Sequence, residues 1–133
     1  MTTHLLKKST ITDERLQWLK ENYTATDSLN AEAYAKYLHE DIEVQMGNKP
    51  GTKGKQNAIE GIKELWKSIK TMNHHFINVL GTNNQIVLEA IIDYTRQDDK
   101  IVTVPAVTIL ELTEENLITS ARVFIDLSPV INE

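Results

Sequence analysis

Apolar positions along this chain follow two different periods. Up to about residue 70 they recur every three or four residues, the spacing that gathers one face of an α-helix. Leu16, Leu19 and Tyr23 form such a stripe, with Trp18 beside it, and predict a helix from Asp13 to about Tyr23. Thr12 stands where an N-cap hydroxyl is needed, and Asp13 and Glu14 put negative charge in the first turn, where the helix dipole favours it. Asn30 is placed to cap a second, short helix through Leu38. A short strand, Asp41–Met46, comes next. The clearest amphipathic segment is Gln56–Ile69, with Ile59, Ile62, Leu65, Trp66 and Ile69 on one side and Glu60, Lys63, Glu64 and Lys67 on the other.

The second half reads as strands: His74–Leu80, Gln85–Arg96, Lys100–Leu112 and Leu117–Leu127. Gly81-Thr82-Asn83-Asn84, Gln97-Asp98-Asp99 and Thr113-Glu114-Glu115-Asn116 separate them and carry residues that tolerate tight turns. Helices followed by a run of antiparallel strands define an α+β domain. Several strands are apolar on both faces. One face can pack on the helices, and the other is expected to be covered by a second copy, giving a homodimer through the outer sheet face.

Composition narrows the function classes. The 133 residues fit a single domain, 1–133, and the formal charge of −5 argues against a nucleic-acid partner. With no cysteine there is no disulfide, thiolate nucleophile or cysteine metal site. No apolar run has the length of a signal segment or membrane span, so no membrane partner and a cytoplasmic location are expected. VQMGNKPGTKG lacks the spacing of a phosphate-binding loop, because Gly47 and Gly54 are too far apart and Lys55 is followed by Gln56. No cofactor motif and no metal-ligand spacing is present, and none is expected to be needed.

Three stretches, TDSLNAEAYAKYLHEDIEV, GNKPGTKGKQNAI and the terminal RVFID, resemble the SnoaL-like, nuclear-transport-factor-2-like (NTF2-like) superfamily. The resemblance implies a cone-shaped α+β fold, with three N-terminal helices packed on a curved, mostly antiparallel sheet and a pocket inside the cone. It covers nearly the whole chain. Its members include ketosteroid isomerases, limonene epoxide hydrolase, polyketide cyclases and non-catalytic binders. The resemblance puts Met46 where ketosteroid isomerases carry their base and Val107 where they carry the acid that assists the oxyanion. The helix-one tyrosine of those enzymes falls near Asn22, next to Tyr23. Against the epoxide hydrolase, the resemblance puts Ala90 at the arginine of its Asp–Arg–Asp set and Ile92 and Val123 at the two aspartates, while an asparagine that holds the water matches Asn48.

The same match turns Ala90, Ile92, Tyr94, Thr103, Pro105, Val107, Val123 and Ile125 toward the pocket, with Trp18, Tyr23 and Met46 completing it. Such a lining suits a small hydrophobic molecule such as a polyketide or terpenoid. His75, Asn48 and Tyr94 are the candidate catalytic groups for an isomerase-, cyclase- or hydrolase-like acid–base reaction. Capture of the ligand without conversion, or a dimeric interaction module, is the alternative that the lost carboxylates leave open. His74 and His75 must point to opposite faces of their strand. Glu89, Asp93, Arg122 and Asp126 fall on the outer face, with Val102, Val104, Ala106 and Leu110 beside them. A register shift of one residue would reverse each assignment.

Overall fold

The computed structural model describes residues 1–6 and 8–131. Its elements are β1 (Lys8–Ser9), α1 (Asp13–Asp27), α2 (Ala31–Ala35), β2 (Leu38–Met46), β3 (Thr52–Lys53), α3 (Lys55–Trp66), β4 (Ile69–Gly81), β5 (Gln85–Arg96), β6 (Ile101–Leu112), β7 (Ile118–Ile125) and α4 (Ser128–Ile131). The strands form one sheet in the order β1-β4-β5-β6-β7-β2-β3. β1 runs parallel to β4 and β2 parallel to β7; the other pairs are antiparallel. Register shifts in β4, at the start of β2 and at the β6–β7 pairing bend the sheet around the helices. Among the described residues, no helix is long and apolar enough to cross a membrane.

Local chemistry explains the helix ends. Thr12 accepts from the Arg15 N–H at 3.1 Å, and Asn30 accepts from the N–H groups of Glu32 and Ala33. α1 runs a full turn past Tyr23, where the sequence pattern ends it. Thr24 and Thr26 weaken a helix when their hydroxyls compete with its backbone, but here they donate to the carbonyls one turn back, Lys20 at 2.8 Å and Asn22 at 3.0 Å. The helix therefore carries Asp27 to its end, where Ser28 caps it. α2 and α3 stop short of Leu38 and Ile69, which become the first residues of β2 and β4.

Strand pairing settles which side chains face the helices. Ala90 pairs with Ala106, Ile92 with Val104 and Tyr94 with Val102. Cross-strand partners share a face, so an inward Ala90, Ile92 and Tyr94 require the even residues of β6 to be inward too. Val104, Ala106, Thr108 and Leu110 are accordingly buried, each at 5% exposure or less. This corrects the sequence-based register of β6: Thr103, Pro105 and Val107 lie on the outer face. The turn fixes the register. Arg96 N–H donates to Lys100 O, Asp99 N–H donates to Arg96 O, and Asp99 takes φ 68° to close the loop.

The interior divides into two clusters. One holds Leu19, Phe76, Val79, Ile86, Leu88 and Leu110 under α1; the other holds Ile69, Met72, Ile92, Tyr94, Val104 and Leu127. A cavity lined by members of both lies at their seam. Its rim is held on one side by the turn after β2. Gly47 N–H donates to Val123 O at 2.8 Å, and at φ 54° a Cβ on this residue would come within 2.8 Å of Ile125 O. Only glycine lets the turn lie this close to β7.

The two glycines Gly61 and Gly81 give opposite expectations. Gly61 sits inside α3 with open space around its missing Cβ, so Gly61→Ala should raise stability by about 0.5–1 kcal/mol. At Gly81 a Cβ would fall 2.1 Å from Gln85 O at φ 125°, so Gly81→Ala should cost more than that gain. Urea unfolding midpoints of the two variants should move in opposite directions from that of the native chain.

Candidate functional site

The inner stripe of α1 changes character along its length. Leu19, Asn22, Tyr23 and Thr26 are buried on it. Asp27 then arrives at the helix end with its side chain only 7% exposed. The residue that meets it is His74 in the middle of β4, whose side chain is 8% exposed. The His74 backbone N–H donates to Oδ2 of Asp27 at 2.9 Å, and its ring Nδ1 lies 2.6 Å from Oδ1. An ionised carboxylate only accepts, so Nδ1 carries the proton. The chain's amino group lies 2.9 Å from Asp27 Oδ2 and also donates to Asn73 Oδ1.

Burial by itself would raise the Asp27 carboxyl. The hydrogen bond from the His74 ring, the charge that ring can carry, the His74 N–H and the amino group outweigh it, and the carboxyl is held below its usual value. On the far side of the ring, Nε2 has no hydrogen-bond partner among the described residues, and His74 lines the cavity. The Tyr23 ring packs edge-on against it with centroids 4.6 Å apart.

The cavity is partly open and has a volume of about 80 Å³. Its polar lining residues are Asn22, Tyr23, Thr26, Tyr34, His74, Tyr94 and Thr108, and the remaining wall is aliphatic. Among the described residues, no Lys, Arg, Asp or Glu side chain lines it. Burial pushes the Tyr23 phenol far up, against the opposing pull of a hydrogen bond with Thr108. Burial, reinforced by the Asp27 charge, does the same to Tyr94. Tyr34 is pushed up to about 12 by burial. These phenols keep their protons at neutral pH and can act as donors.

Several residues anticipated from sequence fall on this cavity: Tyr23, Met46, Ile92, Tyr94, Val123 and Ile125 all line it. Others do not. Val107 faces away from the helices for the register reason given above. Ala90 shares the inner face but is packed into the cluster beneath α1. Trp18 is half-buried against the cluster beneath α1 and does not line the cavity; it lies between the Arg15 guanidinium, 4.9 Å from its ring, and Tyr37 at 5.7 Å. Asn48 is exposed in the turn after β2. Gln45 Nε2 donates to Gly47 O at 3.0 Å and also to Lys49 O, which folds the turn back on β2 and leaves Asn48 in solvent.

His75 is likewise outside. Neighbours on a strand diverge, and it is His74 that shares the inner face with Met72 and Phe76. The His75 ring lies between Thr2 Oγ1 at 2.5 Å and Asp93 Oδ2 at 2.7 Å on the outer face. Asp93 also accepts from Thr103 at 2.6 Å, Arg122 donates to Glu111 at 2.5 Å and Glu89 accepts from Asn78 at 2.5 Å. Asp126 accepts from the Ser128 N–H and hydroxyl at the start of α4. None of these charged residues lines the cavity.

Sequence reasoning missed Asp27, Asn22, Thr26, Thr108 and His74 as a set. The signal was present in α1: Asn22, Tyr23, Thr26 and Asp27 continue the helical stripe begun by Leu16 and Leu19. Polar residues on an apolar stripe are the mark of a buried polar site. No group of three or more His, Asp or Glu side chains able to hold a metal occurs among the described residues.

No family model matches the chain, and no curated protein matches it. Solved structures do. An NTF2-like protein of unknown function from Burkholderia pseudomallei K96243 superposes with a TM-score of 0.79 at 14% identity, covering 92% of this chain and 100% of that one. A protein assigned as a SnoaL-like polyketide cyclase from Shewanella denitrificans OS-217 gives 0.77 at 13%, covering 88% and 93%. An LEH-like epoxide hydrolase from M. tuberculosis gives 0.73 at 11%, covering 90% and 87%. At these identities the likeness shows the fold: the chain has the cone-shaped α+β NTF2-like architecture, and its chemistry has to be argued from its own residues.

The lowered Asp27 carboxyl makes stability pH-dependent. Its unfolded value is near 3.8 and its folded value lies below that. The contribution is therefore complete above the unfolded value and is lost as pH falls through the folded one. Asp27→Asn should unfold at lower urea than the native chain at neutral pH. The gap should close as pH falls from about 5 through the lowered folded value. A gap of constant size over that range would contradict an ionised, stabilising Asp27.

Proposed function

We propose that the protein binds a small hydrophobic molecule inside the cone and performs acid–base chemistry on it. His74 is the group that moves the proton, Asp27 positions it, and the Tyr23 and Tyr94 phenols donate to the substrate oxygen that gains charge. The observation that carries this reading is the fixed imidazole: Nδ1 is committed to Asp27 at 2.6 Å, while Nε2 belongs to a ring that lines a cavity with no Lys, Arg, Asp or Glu among its described lining residues. An imidazole so held presents its lone pair at Nε2. It can take a proton from substrate or water, and the carboxylate behind it stabilises the imidazolium that forms. Phenols that stay protonated supply hydrogen bonds to a developing oxyanion without giving up a proton of their own. Isomerase, cyclase and hydrolase reactions all use these steps, and proteins assigned as a SnoaL-like polyketide cyclase and as an LEH-like epoxide hydrolase are among the structural neighbours.

The test is a panel of hydrophobic ketones, epoxides and lactones followed by mass spectrometry. Native protein should convert at least one of them. His74→Gln should lower kcat by about 10²–10⁴-fold while leaving the dissociation constant of that compound within a few-fold. Tight capture with no product from any member would make the cavity a non-catalytic binding site instead.

A homodimer through the outer sheet face is a second reading, and it is independent of the chemistry. Ile101 is 67% exposed and Phe124 58%, both on the face turned away from the helices. Val107, also on that face, pairs directly with Phe124 across β6 and β7. Covering apolar surface of this kind is the usual driving force for self-association. Light scattering should return the mass of two chains, and Phe124→Glu should return the mass of one.

A further inference from the structure

The cavity sets a narrower limit on its ligand than hydrophobicity alone. Its volume is about 80 Å³, and it is open at the rim. A dry cavity of about 150 Å³ holds one benzene, so by proportion about three or four heavy atoms fit here. A whole polyketide or terpenoid skeleton does not. The walls differ in how far they can yield. Leu38, Ile42, Ile92, Leu110 and Ile118 form a floor in which each residue is 4% exposed or less. A close-packed floor of this kind resists extra volume. Val44, Met46, Ile62, Leu65 and Val123 are only half-buried and form the rim.

Charge is limited as well. With no cationic or anionic side chain among the described lining residues, an ionised ligand would lose its hydration without gaining a counter-charge. The Asp27 carboxylate directly behind His74 adds repulsion for an anion. By contrast, the lining does offer hydrogen-bonding groups in the Tyr23 and Tyr94 phenols and the His74 ring, with the Tyr23 ring packed against that of His74.

Building on the reading of His74 as the reacting group, we infer that the site takes an uncharged, compact head group with one hydrogen-bond-accepting oxygen. Any longer apolar tail lies across the half-buried rim. Leu110 and Ile118 set the size limit. The head group is of the ketone, aldehyde or epoxide kind; carboxylates, phosphates and fused-ring skeletons are excluded from the cavity.

Four probes test this on the full chain: acetone, acetate at a pH where it is ionised, cyclohexanone and a bicyclic ketone. Binding is followed by NMR through the His74 ring resonances. Acetone should shift them. Acetate, which has the same shape and a negative charge, should not. Cyclohexanone should bind about tenfold or more weaker than acetone, and the bicyclic ketone not at all. Leu110→Ala should bring cyclohexanone level with or ahead of acetone. Ile118→Val, a milder change, should move the ratio the same way if the first variant does not fold. Acetate or cyclohexanone binding as well as acetone, with the His74 ring responding, would overturn the size and charge limits and leave the role of His74 standing. If no probe reaches the His74 ring, the assignment of the cavity as the reacting site falls, and the size limit falls with it.

Discussion

Asp27 is a carboxylate with 7% of its side chain exposed, and an ion so placed has to be met by donors or surrender its charge. The fold is arranged to meet it. α1 must stay helical through Thr26 for the carboxylate to arrive, and β4 must present both a backbone N–H and an imidazole at the same spot. The pair therefore ties the end of the first long helix to the middle of a long strand. Removing one member of such a buried pair typically costs about 3–5 kcal/mol, a large share of the roughly 5–15 kcal/mol that holds a domain of this size together. The same contact fixes which nitrogen of His74 is protonated and hence which one is open. Structure and chemistry are here one interaction.

Two His–Asp pairs stand back to back on adjacent residues of β4, and burial separates them. On the inner face Asp27 and His74 are both nearly closed to solvent. On the outer face Asp93 is 41% exposed, and its carboxyl is lowered first by the Thr103 hydroxyl, against the effect of burial, and then by His75. Water screens the outer pair, and pairs of that kind contribute at most about 1 kcal/mol. Its structural role is to hold Thr2 against β4, where Thr2 N–H donates to His74 O at 2.7 Å and Phe76 N–H donates to Thr2 O at 2.9 Å.

Much of the architecture was legible because its signals are local. Thr12 and Asn30 cap helices as their chemistry predicts, and the turns after β4, β5 and β6 fall where Gly81, Asp99 and Asn116 can take positive φ. The site was less legible because its signals are relational. In β6 both alternating sets are apolar or small, Val102, Val104 and Ala106 against Pro105, Val107 and Ile109, so period alone cannot choose a face. The choice is made by pairing with β5, whose Ile92 and Tyr94 carry their partners inward. His74 and His75 pose the same problem on β4. Asp27 was hidden for a different reason. The run Thr24-Ala25-Thr26 reads as a helix end until the hydroxyls are seen bonding to carbonyls one turn earlier.

The parallel pairing of β2 with β7 has a kinetic consequence. Val44, Met46, Ala121, Val123 and Ile125 come from strands separated by most of the chain, yet they form one wall of the cavity. Val44 meets Ala121 and Met46 meets Val123 in direct register. Closing so long a loop carries an entropic cost before any contact rewards it, and contacts of high sequence separation slow folding. The helices and the β4–β5–β6 meander can assemble from near neighbours. The cone has no enclosed interior until β7 has found β2, so the hollow is completed late, by the strand pairing most distant in sequence.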